Sequence, residues 1–307
     1  MDAPMDTHPA SVWLPPLEHV DRAHPLHRLL AQADRLDGDA RDRMARLAHG
    51  FGAESPLPAA ALLRERLAGD AGDAAWLNAD PAWVQPDMTG VRLLACGAMP
   101  MAPGEAEAFA QALQPAFAEA GLQLEITAPT HWQLRLPPGT ALPAFAAPAQ
   151  ALGEDLYQHL PQGAEGRPWR VLLNEVQVLL HQHPLNAARQ ARSLAPVNSV
   201  WLWGAGRLPA PLHGRFAGVV GNDELLHALA ARAGIPGRAY APQAVAMAKA
   251  GWLIDLQELP AGEFARDAWP ALQALARRQT LELVFAGGER WSWRPWHRWR
   301  FWRRAPR

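Results

Sequence analysis

Twenty-nine prolines cut this chain into short segments, and that punctuation limits its possible folds more than any other feature. Inside a helix, proline removes a backbone donor and clashes with the preceding turn. The longest uncharged stretch, residues 136–153, is broken by Pro137, Pro138, Pro143 and Pro148. It therefore cannot supply the ~20 continuous apolar residues of a membrane helix. What remains is an alternation of short strands and short amphipathic helices, the pattern of an α/β protein. At 307 residues, with 49% hydrophobic and 19% charged, the chain is long enough for one large domain or two ordinary ones. A net charge of −1 excludes a generally basic nucleic-acid binder and an acidic-tail protein. A single cysteine, Cys96, excludes an internal disulfide framework and a cysteine zinc cluster. Asp2 and Asp6 have no apolar run behind them, so the sequence predicts no signal peptide and a cytoplasmic setting.

Residues 1–85 read as helical and irregular, with short helices at 26–36, 40–49 and 57–67. Trp76-Leu77-Asn78-Ala79-Asp80-Pro81 reads as a turn or the start of a strand, since the residue before proline avoids the helical region. Residues 86–212 change rhythm. A strand at 91–96 is followed by an alanine-rich helix at 105–120 closed by Gly121, strands at 122–126 and 132–136, and a helix at 145–160. That order begins a split βαβ, or ferredoxin-like, subdomain. A longer helix runs from Trp169 to about Gln182. Residues 213–294 alternate again, with a final hairpin across Gly287-Gly288, and residues 295–307 form a Trp/Arg-rich tail. The expected fold is α/β, a three-layer-like mixed sheet with the split βαβ subdomain and a helical N-terminal segment.

The densest chemistry lies between Asn174 and Arg207. Glu175, His181 and His183 are the residues that could hold a divalent metal. At about 100° per residue, however, no two of them share the i, i+4 face of a helical metal site. The competing reading is histidines at a helix C-terminus, where the dipole favours them. Asn186 and Arg189 lie three apart and can grip a phosphate or carboxylate, since arginine offers a two-pronged donor fork. The alternative is an arginine paired with a nearby carboxylate. The strand at Ser199–Trp203 runs into Gly204-Ala205-Gly206-Arg207. Glycines at the end of a strand allow close backbone approach to a ligand. There is no third glycine and no immediate helix, so a dinucleotide site is excluded, while a phosphate-facing loop with Arg207 remains open. Ser199 has no His or Asp partner by motif, Cys96 reads as a buried strand residue, and no cofactor is expected.

The tail is compositionally distinct. Five of the chain's 14 tryptophans fall in its last 17 residues, and seven arginines face only Glu289. Interleaved Trp and Arg suit stacking on bases, seating on an anionic surface, or contact with a protein partner. The structural reading places Trp291 and Trp293 on a core strand, with Trp296, Trp299 and Trp302 packing a closing turn.

The block HPLNAARQARSLAPVNSVWLWGAGRLP resembles a stretch of the cofactor-independent phosphoglycerate mutases, especially the archaeal-type branch of the alkaline phosphatase superfamily. The matching positions are His183, Pro184, Asn186, Arg189, Pro196, Asn198, Trp201, Gly204 and Gly206. The whole chain also looks like proteobacterial proteins described as phosphoglycerate mutase-like or Rpf-type regulatory proteins. The resemblance implies a sugar-phosphate-binding scaffold. It also implies an opening strand ending in Asp-Gly, a serine nucleophile, and Asp and His ligands for two metals, none of which is legible here. His213, His227 and His297 stand in no Asp-x-x-x-His setting. The expected function is a non-catalytic regulatory protein binding a phosphorylated or carboxylated small molecule through His183, Asn186, Arg189, Asn198, Gly204, Gly206 and Arg207. Two alternatives are a metal-dependent mutase or phosphatase using Glu175, His181 and His183, and an interaction protein acting through residues 290–307.

Overall fold

The computed structural model describes residues 8–88 and 90–303. Asp2 and Asp6, and the last four residues of the Arg-rich tail, lie outside them. The chain divides into two units. A terminal unit is built from the segment up to Ser55 together with the segment from Pro211 onward, and a middle unit spans Pro56–Ala210. The expected break at residue 85 falls instead inside a single long strand of the middle unit.

The terminal unit holds a seven-stranded sheet. Its strands are β1 (Ala10–Leu14), β2 (Asp34–Leu36), β8 (Gly218–Val220), β9 (Gly237–Arg238), β10 (Trp252–Asp255), β11 (Leu281–Phe285) and β12 (Arg290–Trp293). Their order is β2-β12-β11-β1-β10-β8-β9. The five strands from β11 to β9 run parallel, and β12 and β2 add antiparallel edges. Val12, Leu14, Val220, Ile254, Leu283 and Phe285 point to one face. There they pack with Leu26 and Leu29 of the helix Leu26–Gln32 and with Leu272 and Leu275 of the helix Trp269–Ala276. Trp13, Val219, Leu253 and Val284 are buried on the other face. The helix Arg43–Phe51 reaches that face by laying Arg46 over the Trp13 ring, and Glu224–Arg232 lies beside it. Helices on both faces make this a three-layer arrangement.

Strand β1 corrects the reading of residues 1–85 as helical and irregular. All five of its residues are buried. A central parallel strand is covered on both faces, so it shows no apolar/polar alternation to find. Between Pro9 and Pro15-Pro16 it is also too short to announce itself. The expected helices at 40–49 and 57–67 form as Arg43–Phe51 and Ala59–Leu67, but the one expected at 26–36 ends at Gln32, and its last residues, Asp34–Leu36, are strand β2.

The middle unit holds an antiparallel sheet of β3 (Ala75–Pro86), β4 (Val91–Cys96), β5 (Gln123–Ala128), β6 (His131–Leu136) and β7 (Ser199–Arg207). Strands β7, β3, β6 and β5 lie side by side. The helix Pro103–Glu119 joins β4 to β5, and the long helix Gly163–His181 precedes β7. This is the ferredoxin-like split βαβ order, with one correction: β3, not the 91–96 segment, is its first strand, and β4 folds back on β3 as an added hairpin arm. Proline hid β3. Pro81 sits where one edge of the strand changes partner, from β6 (through Asn78) to β4 (from Ala82). At that gap a missing N–H loses no ladder bond. Phe109, Leu113, Phe117, Trp169, Leu173 and Val176 of the two helices cover one sheet face, against Leu77, Leu134, Val200 and Leu202. The expected helix at 145–160 is only two single turns, Pro148–Ala151 and Leu156–His159.

Candidate functional site

The residues expected to grip an anion lie together in the middle unit, and each is engaged in holding it. Arg189 is fully buried. Its Nε donates to the Ala195 carbonyl at 2.8 Å, one terminal nitrogen to Glu105 at 3.2 Å and the other to the Pro100 carbonyl at 3.0 Å. No edge of the fork faces solvent, so the reading that pairs it with a carboxylate replaces the anion grip. Burial pushes the Arg189 guanidinium below its ordinary range, against the pull of Glu105. Asn186 donates to the carbonyls of Leu180 and Val197 and accepts from the Val197 N–H, clasping the end of the Gly163–His181 helix to the approach of β7. Asn198 accepts from the Val84 N–H at 2.8 Å and donates to the Val84 carbonyl at 2.7 Å. Its side chain thereby acts as one more rung of the ladder, beside the β3 bulge at Trp83 and Val84.

The glycines have a packing reason. Gly204 and Gly206 lie within β7, with φ of 68° and 150°. A Cβ on Gly204 would stand 2.8 Å from the Ala59 Cβ, and one on Gly206 would stand 2.6 Å from the Pro58 Cβ. They admit the start of the Ala59–Leu67 helix rather than a phosphate. Arg207 is exposed and donates to the Asp73 carbonyl.

The metal reading is also corrected. Glu175 and His181 are exposed, while His183 caps the helix Pro184–Ala191 and its ring lies 4.7 Å from that of Phe109. Among the described residues no group of three or more His, Cys, Asp or Glu could hold a metal ion. Cys96 is half-buried in β4 rather than fully buried as expected, and desolvation with nearby Asp80 pushes its thiol well above the ordinary range, away from the reactive thiolate.

The terminal unit presents what sequence reasoning missed. In parallel sheets ligands gather at the carboxyl ends of the strands. At that edge stands Arg43, on the first turn of its helix. It is bonded to Asp255 at 2.5 Å, to Gln257 at 3.1 Å and to Asp223. Burial opposes its charge, but Asp255 and Asp223 outweigh that opposition and raise it above the ordinary guanidinium range. Asp223 also caps the helix Glu224–Arg232. A cavity of about 210 Å³ lies beside the clamp, lined by Tyr240, Glu258 and Glu263 among others. Another, of about 280 Å³, is lined by Pro15, Pro16, His24, Glu258 and Phe264 among others. Here β1 ends in Leu14-Pro15-Pro16, not the Asp-Gly that the family resemblance implies. Desolvation at the cavity wall, with Asp223 and Asp255 adding to it, pushes the Glu258 carboxyl above its ordinary range. Among the described residues no Ser, Thr or Cys lines either cavity.

A larger groove, about 420 Å³, runs between the helices Leu26–Gln32 and Trp269–Ala276. Buried Trp269 and Trp293 form part of its wall, and Trp293 is fixed by its Nε1–H bond to the Ala276 carbonyl. Arg28, Arg277 and Arg298 line it, with Gln32 and Gln273, and among the described residues no carboxylate does. The three arginines are far apart in sequence, so no spacing motif could have joined them.

No family model matches the chain. Among curated proteins it is 31% identical over 93 residues to the 2,3-bisphosphoglycerate-independent phosphoglycerate mutase of Methanosarcina mazei, a match covering 29% of this chain and 23% of that protein. It is 35% identical over 74 residues to the enzyme of Methanothrix thermoacetophila, covering 24% of this chain and 18% of that one. The chain thus spans less than a quarter of the length of these relatives. Among solved structures, the cofactor-independent phosphoglycerate mutase of Thermoplasma acidophilum aligns with a TM-score of 0.40 at 12% identity, over 93% of this chain and 89% of that one. The PH0037 protein of Pyrococcus horikoshii aligns with a TM-score of 0.48 at 10% identity, over 93% and 87%. The chain is a mixed α/β protein with distant, partial homology to the cofactor-independent phosphoglycerate mutases.

Proposed function

We propose that this protein is a non-catalytic relative of those mutases that binds a phosphorylated or carboxylated small molecule in a regulatory role, through the groove of the terminal unit. The observation carrying the reading is a groove of about 420 Å³ with three arginines, two buried tryptophans and, among the described residues, no carboxylate. Its size is that of a small-molecule site, and its walls combine apolar surface with a few placed polar groups. Guanidinium forks match phosphate and carboxylate oxygens. Binding without turnover is supported by the carboxyl edge of the parallel sheet, where Arg43 is clamped between Asp223 and Asp255 and, among the described residues, no Ser, Thr or Cys lines the cavity beside it. It is supported also by Asn186, Arg189 and Asn198, whose side chains are committed to backbone and Glu105 partners.

The test is a thermal-shift series with 3-phosphoglycerate, other phosphorylated acids and inorganic phosphate, on wild type and the exposed-residue variant Arg28→Ala/Arg277→Ala. A ligand at 100 times its Kd adds about 2.7 kcal/mol, or several degrees for a chain of this size at roughly 2 °C per kcal/mol. A shift with a phosphorylated acid that disappears in the double variant is expected. No shift with any of them, or one unchanged in the double variant, overturns the reading. Mutase or phosphatase turnover in the presence of Mn²⁺ or Mg²⁺ overturns its non-catalytic half.

A further inference from the structure

We propose that the aromatic turn at the end of the terminal unit docks the protein onto an anionic lipid bilayer. This chain buries Trp13, Trp132, Trp169, Trp252, Trp269 and Trp293, yet leaves Trp296 50%, Trp299 63%, Phe301 79% and Trp302 67% exposed. The structural reading of the tail, in which Trp296, Trp299 and Trp302 pack a closing turn, is therefore corrected. Four large aromatic side chains in seven residues stand in water.

They are presented by a fixed backbone. His297 is fully buried, with its ring 5.7 Å from that of Trp293 and 4.4 Å from that of Trp296. Arg300 donates to the Gln32 carbonyl at 3.2 Å and to Asp34, and Arg303 to the Ala33 carbonyl at 3.0 Å. The turn is thus pinned at its middle and its end while its aromatic rings face outward.

The charge complements an anionic surface. Arg294, Arg298 and Arg303 are exposed around the rings, and Arg28 and Arg277 lie in the adjoining groove. The carboxylate that meets this turn, Asp34, is already engaged by Arg300 and Arg303. Arg300 lies 4.4 Å over the Trp296 ring and Arg298 lies 5.2 Å over that of Trp299. Guanidinium beside indole is the pairing that suits the bilayer interface, where the ring sits among headgroups and the cation meets phosphate. Single-stranded nucleic acid is the less fitting occupant. Base stacking uses open ring faces along a groove, whereas here two faces carry a guanidinium and Phe301 meets Trp302 edge-on at 5.4 Å.

The test is flotation of the full-length protein with vesicles of phosphatidylcholine alone, or mixed with phosphatidylglycerol. Binding to the mixed vesicles only, weakening with salt, is expected. Trp296→Ser/Trp299→Ser/Trp302→Ser should lose it at least about ten-fold, with its urea midpoint lowered only by loss of the half-buried Trp296 face against His297 and Arg300, the other two rings being the more exposed. Arg294→Glu should weaken it by roughly five-fold or more, the scale of one surface cation. If the triple variant fails to fold, Phe301→Ser/Trp302→Ser carries the same prediction. No binding by wild type, equal binding to neutral vesicles, or undiminished binding by the aromatic variants overturns the proposal. So does capture by oligouridylate with none by vesicles, which would assign the turn to nucleic acid. The aromatic variants leave Arg28, Arg277, Trp269 and Trp293 in place, so a failure here is separable from a failure of the groove to bind its ligand.

Discussion

Residues 183–207 and residues 290–303 invert each other. The first has the residue types of a ligand site: amides, an arginine, a histidine and paired glycines. It turns Asn186, Arg189, Asn198 and both glycines to structural use inside the unit, and leaves only Arg192 and Arg207 among its arginines at the surface. The second has the residue types of a core, tryptophan at three-residue spacing, and turns most of them outward. The difference lies in what surrounds each segment. Asn186, Arg189 and Asn198 stand where a helix end, a loop and a bulged strand leave carbonyls and amides without ladder partners. Buried backbone groups must be paired, so the side chains pair them. In the closing turn Trp293 and His297 already complete the core face; Trp296 covers only the outer side of His297, and Trp299 and Trp302 stand further out still.

The sharpest way to break this contrast is Arg189→Ala. If the residue is structural, removing it strips donors from the Ala195 and Pro100 carbonyls and leaves a cavity, with Arg192 alone on Glu105. Loss of one partner of a buried pair costs about 3–5 kcal/mol. Urea unfolding, read by near-UV circular dichroism, should show that loss with or without any phosphorylated acid present. An unchanged midpoint would return Arg189 to the ligand reading. Gly204→Ala is the next largest. The new Cβ meets the Ala59 Cβ at 2.8 Å in a residue held at φ 68°. Overpacking and left-handed strain together cost on the order of 2–4 kcal/mol. A glycine kept for a phosphate would instead lower ligand affinity and spare stability.

The sequence made much of the fold legible, for reasons that also explain its failures. Helices such as Pro103–Glu119 and strands such as β6 have one apolar face each, and that periodicity is readable. Strand β1 is covered on both faces and has none. In β3, proline signals a break in pairing, yet the break lies only along one edge, between β6 and β4. The site was less legible than the fold. A polar residue's type says that it will make hydrogen bonds and says nothing about with whom. Asn186 and Arg189 were rightly placed on one helical face and wrongly aimed at solvent. Arg28, Arg277 and Arg298 line one groove only because two helices and the closing turn converge, and Arg43 finds Asp223 and Asp255 through the fold of the sheet. Tertiary structure alone creates those neighbours.

The gentlest probe concerns His297, the residue that holds the aromatic turn while its neighbours face out. Burial, followed by the charge of Arg300, lowers its pKa below the ordinary 6.5, with Asp34 pulling the other way. The unfolded chain therefore takes up the proton first as pH falls. Folding stability linked to this group is fully present above about pH 6.5, and it declines as pH drops toward the lower folded value. Asp34 also titrates below its ordinary value because Arg300 bonds to it, so its own contribution is lost only at more acidic pH. Wild type should thus show a falling urea midpoint between roughly pH 7 and pH 5, and His297→Gln should flatten that slope while lowering the midpoint at pH 7. A slope unchanged in the variant would mean that the turn is held by Arg300 and Arg303 on Asp34 alone. In that case vesicle binding should follow Asp34→Asn and ignore His297.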